Sequence, residues 1–165
     1  MRIIVRPARA GDGGDLARCW TDSGRYYQAL DPASFQVPEA DGLAAWFEAL
    51  LAAPRPEAIW LVAEVDGRVV GSVAARLEQP VEDASRQVVR DLGLRRVFVE
   101  ALEVEEASRR RGVGARLMEE VEAWGRDQGA VLITLDTYAD SPLSIPFYER
   151  RMGYRRRSVV FQKRL

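Results

Sequence analysis

Apolar residues recur along the chain at two spacings, every second residue and every third or fourth, and the alternation between them lays out the elements. Residues 3 to 7, IIVRP, predict a short strand stopped by Pro7, and the turn from Gly11 to Gly14 leads into a helix over about 15–30. Pro32 and Pro38 mark a loop. A second helix, about 39–53, places Leu43, Trp46, Phe47, Leu50 and Leu51 on one face, and Pro54 and Pro56 end it. AIWLVAEV and RVVGSVAARL flank Asp66-Gly67, a dipeptide suited to a two-residue type I′ turn because both positions need positive φ, so two antiparallel strands follow. The polar stretch 79–96 predicts a loop with a helical turn or two around Val88, Val89 and Leu92.

Residues 97–104, VFVEALEV, predict a strand, and 111–127 a helix with Val113, Leu117, Val121 and Trp124 on one stripe and Gly129 as its stop. VLITL predicts a buried strand. A last helix spans about 141–151, with Pro142 near its first turn, and the tail SVVFQKRL is expected to close the sheet. The alternation of strands and helices predicts one α/β domain over residues 1–165, a single mixed sheet with helices on both faces.

Composition narrows the chemistry. The 165 residues are 47% hydrophobic and 30% charged, with no apolar run near the ~20 residues of a membrane helix, and the start MRIIVRPARAGD lacks a secretory apolar stretch, so a cytoplasmic protein is expected. One cysteine, Cys19, and no histidine leave no internal disulfide and argue against a metal site. Without histidine, a general base must be a carboxylate, a tyrosine or the terminal amine. The net charge of -1 argues against a nucleic-acid partner, although 12–48 holds seven acids (Asp12, Asp15, Asp22, Asp31, Glu39, Asp41 and Glu48) against Arg18 and Arg25. Acids facing a cleft beside Tyr26, Tyr27 and Phe35 would favour a cationic ligand; solvated helices are the competing reading.

The segment VFVEALEVEEASRRRGVGARLMEEV joins a strand to a helix through a turn of three arginines and two glycines. Gly112 and Gly114 let the backbone approach a phosphate, the first helical N–H groups lack intrahelical partners, and Arg109, Arg110 and Arg111 add cationic donors. A P-loop is excluded because Ala115 and Arg116 follow Gly114, and a Rossmann fingerprint fits poorly because position 117 is leucine.

Arg109-Arg110-Arg111-Gly112-Val113-Gly114 resembles the cofactor signature of the GNAT superfamily of acetyl-CoA-dependent N-acetyltransferases. SPLSIPFYERRMGYR resembles that family's second block, in which a helix carrying Phe-Tyr-Glu precedes the next strand. Two departures stand out: Ser141 replaces a usual asparagine, and one extra residue separates Tyr148 from Gly153, where a helical bulge is expected below Tyr148.

The resemblance implies a mostly antiparallel sheet splayed between strands 4 and 5, with the pantetheine arm of acetyl-CoA in the gap. It implies cofactor contacts from Leu102, Glu103 and Val104, from Arg109, Arg110, Arg111, Gly112, Val113, Gly114 and Ala115, and from Ser141 and Ser144. The implied activity is direct transfer of acetyl to a primary amine of a small molecule or peptide; a non-catalytic CoA-binding or sensor domain is the alternative. Homodimers occur among small members and remain open here, as does the acceptor's identity.

An ammonium acceptor must lose a proton before attack. Alternation places Glu100 with Phe98, Leu102 and Val104 on an apolar face that would raise its pKa, which makes Glu100 the first candidate base; a cross-strand ion pair with an arginine is the competing reading. Glu103 and Asp136 are reserves. Tyr148, at the family's general-acid position, would protonate the departing thiolate, and Cys19 reads as a buried residue rather than a nucleophile.

Overall fold

A computed structural model of the chain describes residues 2–53 and 55–165; Pro54, expected to help end the second helix, and the terminal amine lie outside them. Strand β1 (Ile3–Pro7) leads through helices α1 (Gly13–Leu30) and α2 (Leu43–Ala52) to the hairpin β2 (Ala58–Val65) and β3 (Arg68–Glu78). Asp66 and Gly67 have φ of 53° and 79°, the left-handed pair of a type I′ turn. Two 3₁₀ turns, Ala84–Arg86 and Arg90–Gly93, precede β4 (Arg96–Val104), α3 (Val113–Asp127), β5 (Leu132–Leu135) and α4 (Ser144–Pro146), which runs on as a π-turn over Phe147–Arg151.

The five strands lie in sequence order, antiparallel except for the parallel pair β4 and β5. That pair holds for four residues, Arg96 to Val99 opposite Leu132 to Leu135, after which β4 continues to Val104 paired with β3 but not with β5. The two strands therefore part beyond Val99, and the wedge they leave opens beside the start of α3.

Each face of the sheet has its own core. One packs Leu117, Met118 and Val121 of α3 on Val73, Ala75, Val97 and Val99; the other packs Leu16 of α1 and Phe47 of α2 on Val62 and Val69. Trp46 shared the expected apolar stripe of α2, yet it is half exposed while Phe47, one residue on, is buried. The N-terminus of α1 is held by α2, because the Glu48 carboxylate accepts the N–H groups of Gly13 (2.7 Å) and Gly11 (3.1 Å) where the helix has no acceptors of its own.

Three expectations are corrected. The tail does not close the sheet: residues 154–165 pair with no strand, and Val159, Val160 and Phe161 stand in solvent. The bulge below Tyr148 is a π-turn that includes Tyr148, with the Met152 N–H bonded to the Phe147 carbonyl five residues back (3.0 Å). Finally, β4 does not alternate throughout. Ala101 pairs with Ala74 and Val99 with Ala75, so Glu100 is the extra residue of a β-bulge. Beyond it Leu102 and Val104 join Val97 and Val99 on the α3 side, which separates them from Glu100.

Candidate active site

The turn of arginines and glycines before α3 is built as its composition requires. Arg110 and Gly112 both adopt left-handed backbone, at φ of 58° and 88°. Gly112 is the residue before α3, whose first internal bond runs from the Arg116 N–H to the Gly112 carbonyl (3.0 Å). The N–H groups ahead of Arg116 thus precede the helical ladder and carry the positive end of the dipole. Val113 and Ala115 are buried, so α3 is fixed from its first turn.

A cleft of about 580 Å³ opens from this turn along the part of β4 beyond Val99. Leu102 and Val104 of β4, Gly112 and Gly114 of the turn, and Ser144 and Tyr148 of α4 line it, with Tyr26 and Tyr27 of α1 closing one side. Arg109 lies at its rim, with Nε donating to the Val104 carbonyl (3.0 Å) and the guanidinium 5.2 Å from the centre of the Tyr26 ring. Volume, apolar walls and anion-binding mouth suit a long ligand with an acidic end, as the elongated CoA molecule is.

Ser141, expected at the cofactor, is instead closed away. It is 1% exposed, and its Oγ accepts the Ser144 N–H (3.0 Å) and bonds Tyr26 Oη (3.0 Å) and Ser144 Oγ (3.0 Å). It accepts the first N–H of α4 and ties that helix to α1 through Tyr26. Ser144 does reach the cleft, and its Oγ meets Tyr27 Oη at 3.1 Å.

Glu100 is engaged elsewhere. Its carboxylate takes a two-pronged bond from Arg55 (2.9 and 2.9 Å) and a third from Arg76 (2.9 Å), and these cations hold its pKa below the ordinary value. The alternation that placed it on an apolar face fails at the bulge. Because this cluster is solvent-facing, Glu100→Gln should change the rate of the enzyme and its pH profile less than twofold, with a stability cost within about 1 kcal/mol; a pH-rate series and a melting curve of the variant check this.

Glu103 has the opposite surroundings. It is 6% exposed, on the α1 face of β4, and accepts one hydrogen bond from Ser72 Oγ (2.9 Å); burial pushes its pKa up to about 7. Its side chain lies behind the cleft wall formed by Leu102 and Val104. Tyr148 packs edge-on against Phe147 (5.0 Å) and Tyr154 (5.8 Å), and burial raises its pKa, with the Glu103 charge adding to the effect, so it keeps its proton at neutral pH. Asp136 is exposed just past β5. Cys19 is fully buried with its thiol pushed up to about 12, which removes the thiolate a nucleophile requires.

The acids of 12–48 are largely used within the fold. Asp12 pairs with Arg6 (2.7 Å), Asp22 with Arg25 (3.3 Å) and Asp15 with Arg18, Asp31 accepts the Ala33 N–H (3.1 Å), and Glu48 holds the start of α1. Five of the seven acids are thus engaged in ion pairs or hydrogen bonds to backbone N–H groups. Tyr27, Phe35 and Tyr138 stack on one another instead, with centroids 5.1 and 5.3 Å apart.

The site is thus a mixed sheet splayed beside a glycine-arginine turn that opens a helix, with a tyrosine across the gap. The family comparison makes this specific: residues 19–154 match the model of the acetyltransferase (GNAT) family, and the chain belongs to that family. The tetramutant of the BH1408 protein from Bacillus halodurans has a similar structure, with 21% identity, a TM-score of 0.83, and coverage of 98% of this chain and 99% of that one. An aminoglycoside acetyltransferase, HMB0005, from an uncultured soil metagenomic sample is similar over 100% of this chain and 99% of its own, at 22% identity and a TM-score of 0.64. AAC(6')-Iy, solved with the bisubstrate analogue CoA-S-monomethyl-acetylneamine, is similar over 100% of both chains, at 20% identity and a TM-score of 0.63. The sequence matches no curated protein.

Proposed function

We propose that this acetyltransferase moves the acetyl group of acetyl-CoA to a primary amine of a small molecule or peptide, by direct transfer while both are bound. The observation that carries the reading is the continuity of one cleft, from the left-handed Gly112 at the mouth of α3, along Leu102 and Val104, to Tyr148. Acetyl-CoA, when bound, supplies the activated acetyl thioester. The N–H groups at the start of α3 and the arginines of the turn hold the phosphates, and the free edge of β4 past Val99 offers backbone groups that orient the pantetheine arm.

Glu103 replaces Glu100 as the base. A carboxylate with pKa near 7 takes a proton at neutral pH and remains a good acceptor, whereas Glu100 is ionised and saturated by arginines. Buried one layer behind the cleft, Glu103 receives the ammonium proton through water. Tyr148, protonated across the working range, donates to the thiolate that leaves.

Tyr148→Phe preserves the ring packing with Phe147 and Tyr154 and deletes only the donor. It should lower kcat about 10²-fold while leaving the calorimetric Kd for acetyl-CoA within twofold. Full turnover in that variant removes Tyr148 from the chemistry. The activity itself is tested by supplying acetyl-CoA with a panel of amines and following thiol release.

A further inference from the structure

The hydroxyl groups where α1 meets α4 form a chain whose proton count leaves one donor for the cleft. Tyr26 Oη bonds Ser141 Oγ (3.0 Å), Ser141 Oγ donates to Ser144 Oγ (3.0 Å), and Ser144 Oγ meets Tyr27 Oη (3.1 Å). Backbone donors set its direction. The Leu143 N–H donates to Tyr26 Oη (3.2 Å), and the Ser144 N–H donates to Ser141 Oγ (3.0 Å). Because the Ser141 proton is already on Ser144, the Tyr26 proton goes to Ser141, whose two lone pairs are then both filled. Ser144 and Tyr27 together hold two protons and share one hydrogen bond, so one O–H of the pair remains to be used. Thr137 Oγ1 lies 3.5 Å from Tyr27 Oη, too far to hold that proton well. At its other end the chain stops at a backbone N–H, which passes no proton on. It is a row of aligned dipoles that ends in the cleft, and alignment strengthens the last donor.

Resting on acetyl transfer as the reaction, we propose that Tyr27 is a further catalytic residue, whose hydroxyl, aligned by Ser144, Ser141 and Tyr26, donates a hydrogen bond to the thioester sulfur as negative charge develops there. Location supports this. Tyr27, Ser144 and Tyr148 all line the cleft, and Ser144 and Tyr148, four residues apart along α4 and its continuation, share one face at about 5–6 Å between Cβ atoms. After burial, a charge on Tyr27 is among the causes that raise the Tyr148 pKa, which sets the two phenols near one another. Their roles differ. When the C–S bond breaks, its electron pair passes to sulfur and Tyr148 supplies the proton; Tyr27 keeps its own proton and stabilises the charge through a hydrogen bond alone. Of the free pair the phenol is the stronger acid, so developing charge draws the Tyr27 O–H forward while Ser144 donates to Tyr27 from behind. The Tyr27 ring is fixed for this task between Tyr26 and Phe35, each 5.1 Å away between centroids. Besides the tyrosines, the ionisable groups lining the cleft are Arg109, Arg110, Arg150 and Arg151, so its wall adds no negative charge against a thiolate.

Tyr27→Phe keeps the ring contacts and deletes the donor, so kcat should fall about 10-fold while the calorimetric Kd for acetyl-CoA stays within twofold. Binding of the product separates this role from packing. CoA carries the thiol and desulfo-CoA lacks it, so the ratio of their affinities reports the contact to sulfur. An alkyl thiol titrates near ~8.5 in water, and a donor to the thiolate lowers that value, so between about pH 6 and about pH 9 the ratio should rise in favour of CoA. The rise should be about 10-fold smaller in Tyr27→Phe. Glu103, which titrates in the same window, is present in both proteins and cancels from the comparison. Ser144→Ala, which removes the aligning hydroxyl, should also reduce the rise, and Ser144→Thr, which keeps one, should preserve it. Full turnover in Tyr27→Phe, or an undiminished rise in Tyr27→Phe or Ser144→Ala, overturns the proposal and leaves acetyl transfer standing. Failure of the wild-type chain to bind CoA overturns both.

Discussion

Gly112→Asp should abolish acetyl-CoA binding, raising Kd by more than 100-fold in a protein that still folds. Gly112 sits at φ of 88°, where a side chain is strained, and adding a carboxylate there sets a negative charge at the proposed phosphate mouth. No atom stands within 4 Å of an added Cβ, so the fold has room for the side chain and the loss falls on the ligand. Aspartate tolerates left-handed backbone better than most residues, which keeps the folding cost near 1 kcal/mol. Calorimetry with acetyl-CoA and a melting curve of the same sample separate the two effects. Unchanged affinity in the folded variant would remove the turn from the cofactor site.

The second large effect is at Glu103, where activity and stability should move in opposite directions. Glu103→Gln keeps an acceptor for Ser72 Oγ and removes the titrating group; it should lower kcat by 10²-fold or more and erase the acidic limb of the pH profile near pH 7. The folded carboxyl binds its proton more tightly than the unfolded one, because its pKa is raised from 4.5 to about 7. The unfolded state therefore holds fewer protons between those values, and wild-type stability falls as pH rises through this window. The glutamine variant has no such loss, so at pH 8 it should be the more stable protein, by on the order of 1–3 kcal/mol. A variant that loses activity and stability together would make Glu103 a packing residue, and a persisting acidic limb would pass the base to Asp136 or solvent.

Local rules made much of the fold legible. Asp66-Gly67 demanded positive φ twice and obtained it, and Val113, Leu117 and Val121 at helical spacing lie buried under the sheet. The extra residue between Tyr148 and Gly153 signalled a bulge and became a π-turn, although one that begins before Tyr148. What escaped depends on partners distant in sequence. VFVEALEV reads as uniform alternation, and only the register of β3 shows that Glu100 is inserted, which hands Glu100 to Arg55 and Arg76 and leaves Glu103 as a buried carboxylate that accepts from Ser72 rather than from an arginine. Burial of both β4 faces was the available signal for Glu103, since a glutamate between Leu102 and Val104 on a covered strand must be shielded by something. Ser141 occupied the motif's polar position, but its short hydroxyl reached Tyr26 on α1, a contact across 115 positions. SVVFQKRL has strand composition, yet it pairs with no strand among the described residues, which periodicity does not reveal.

The most direct test follows thiol release from acetyl-CoA by the purified chain, with and without a panel of primary amines, with mass spectrometry of the amine products. The account predicts release that depends on the amine, an N-acetylated product, and initial-rate lines that intersect when both substrates are varied, as direct transfer with both bound requires. Binding of acetyl-CoA with no amine-dependent release across the panel would contradict it and leave a CoA-binding domain without transfer.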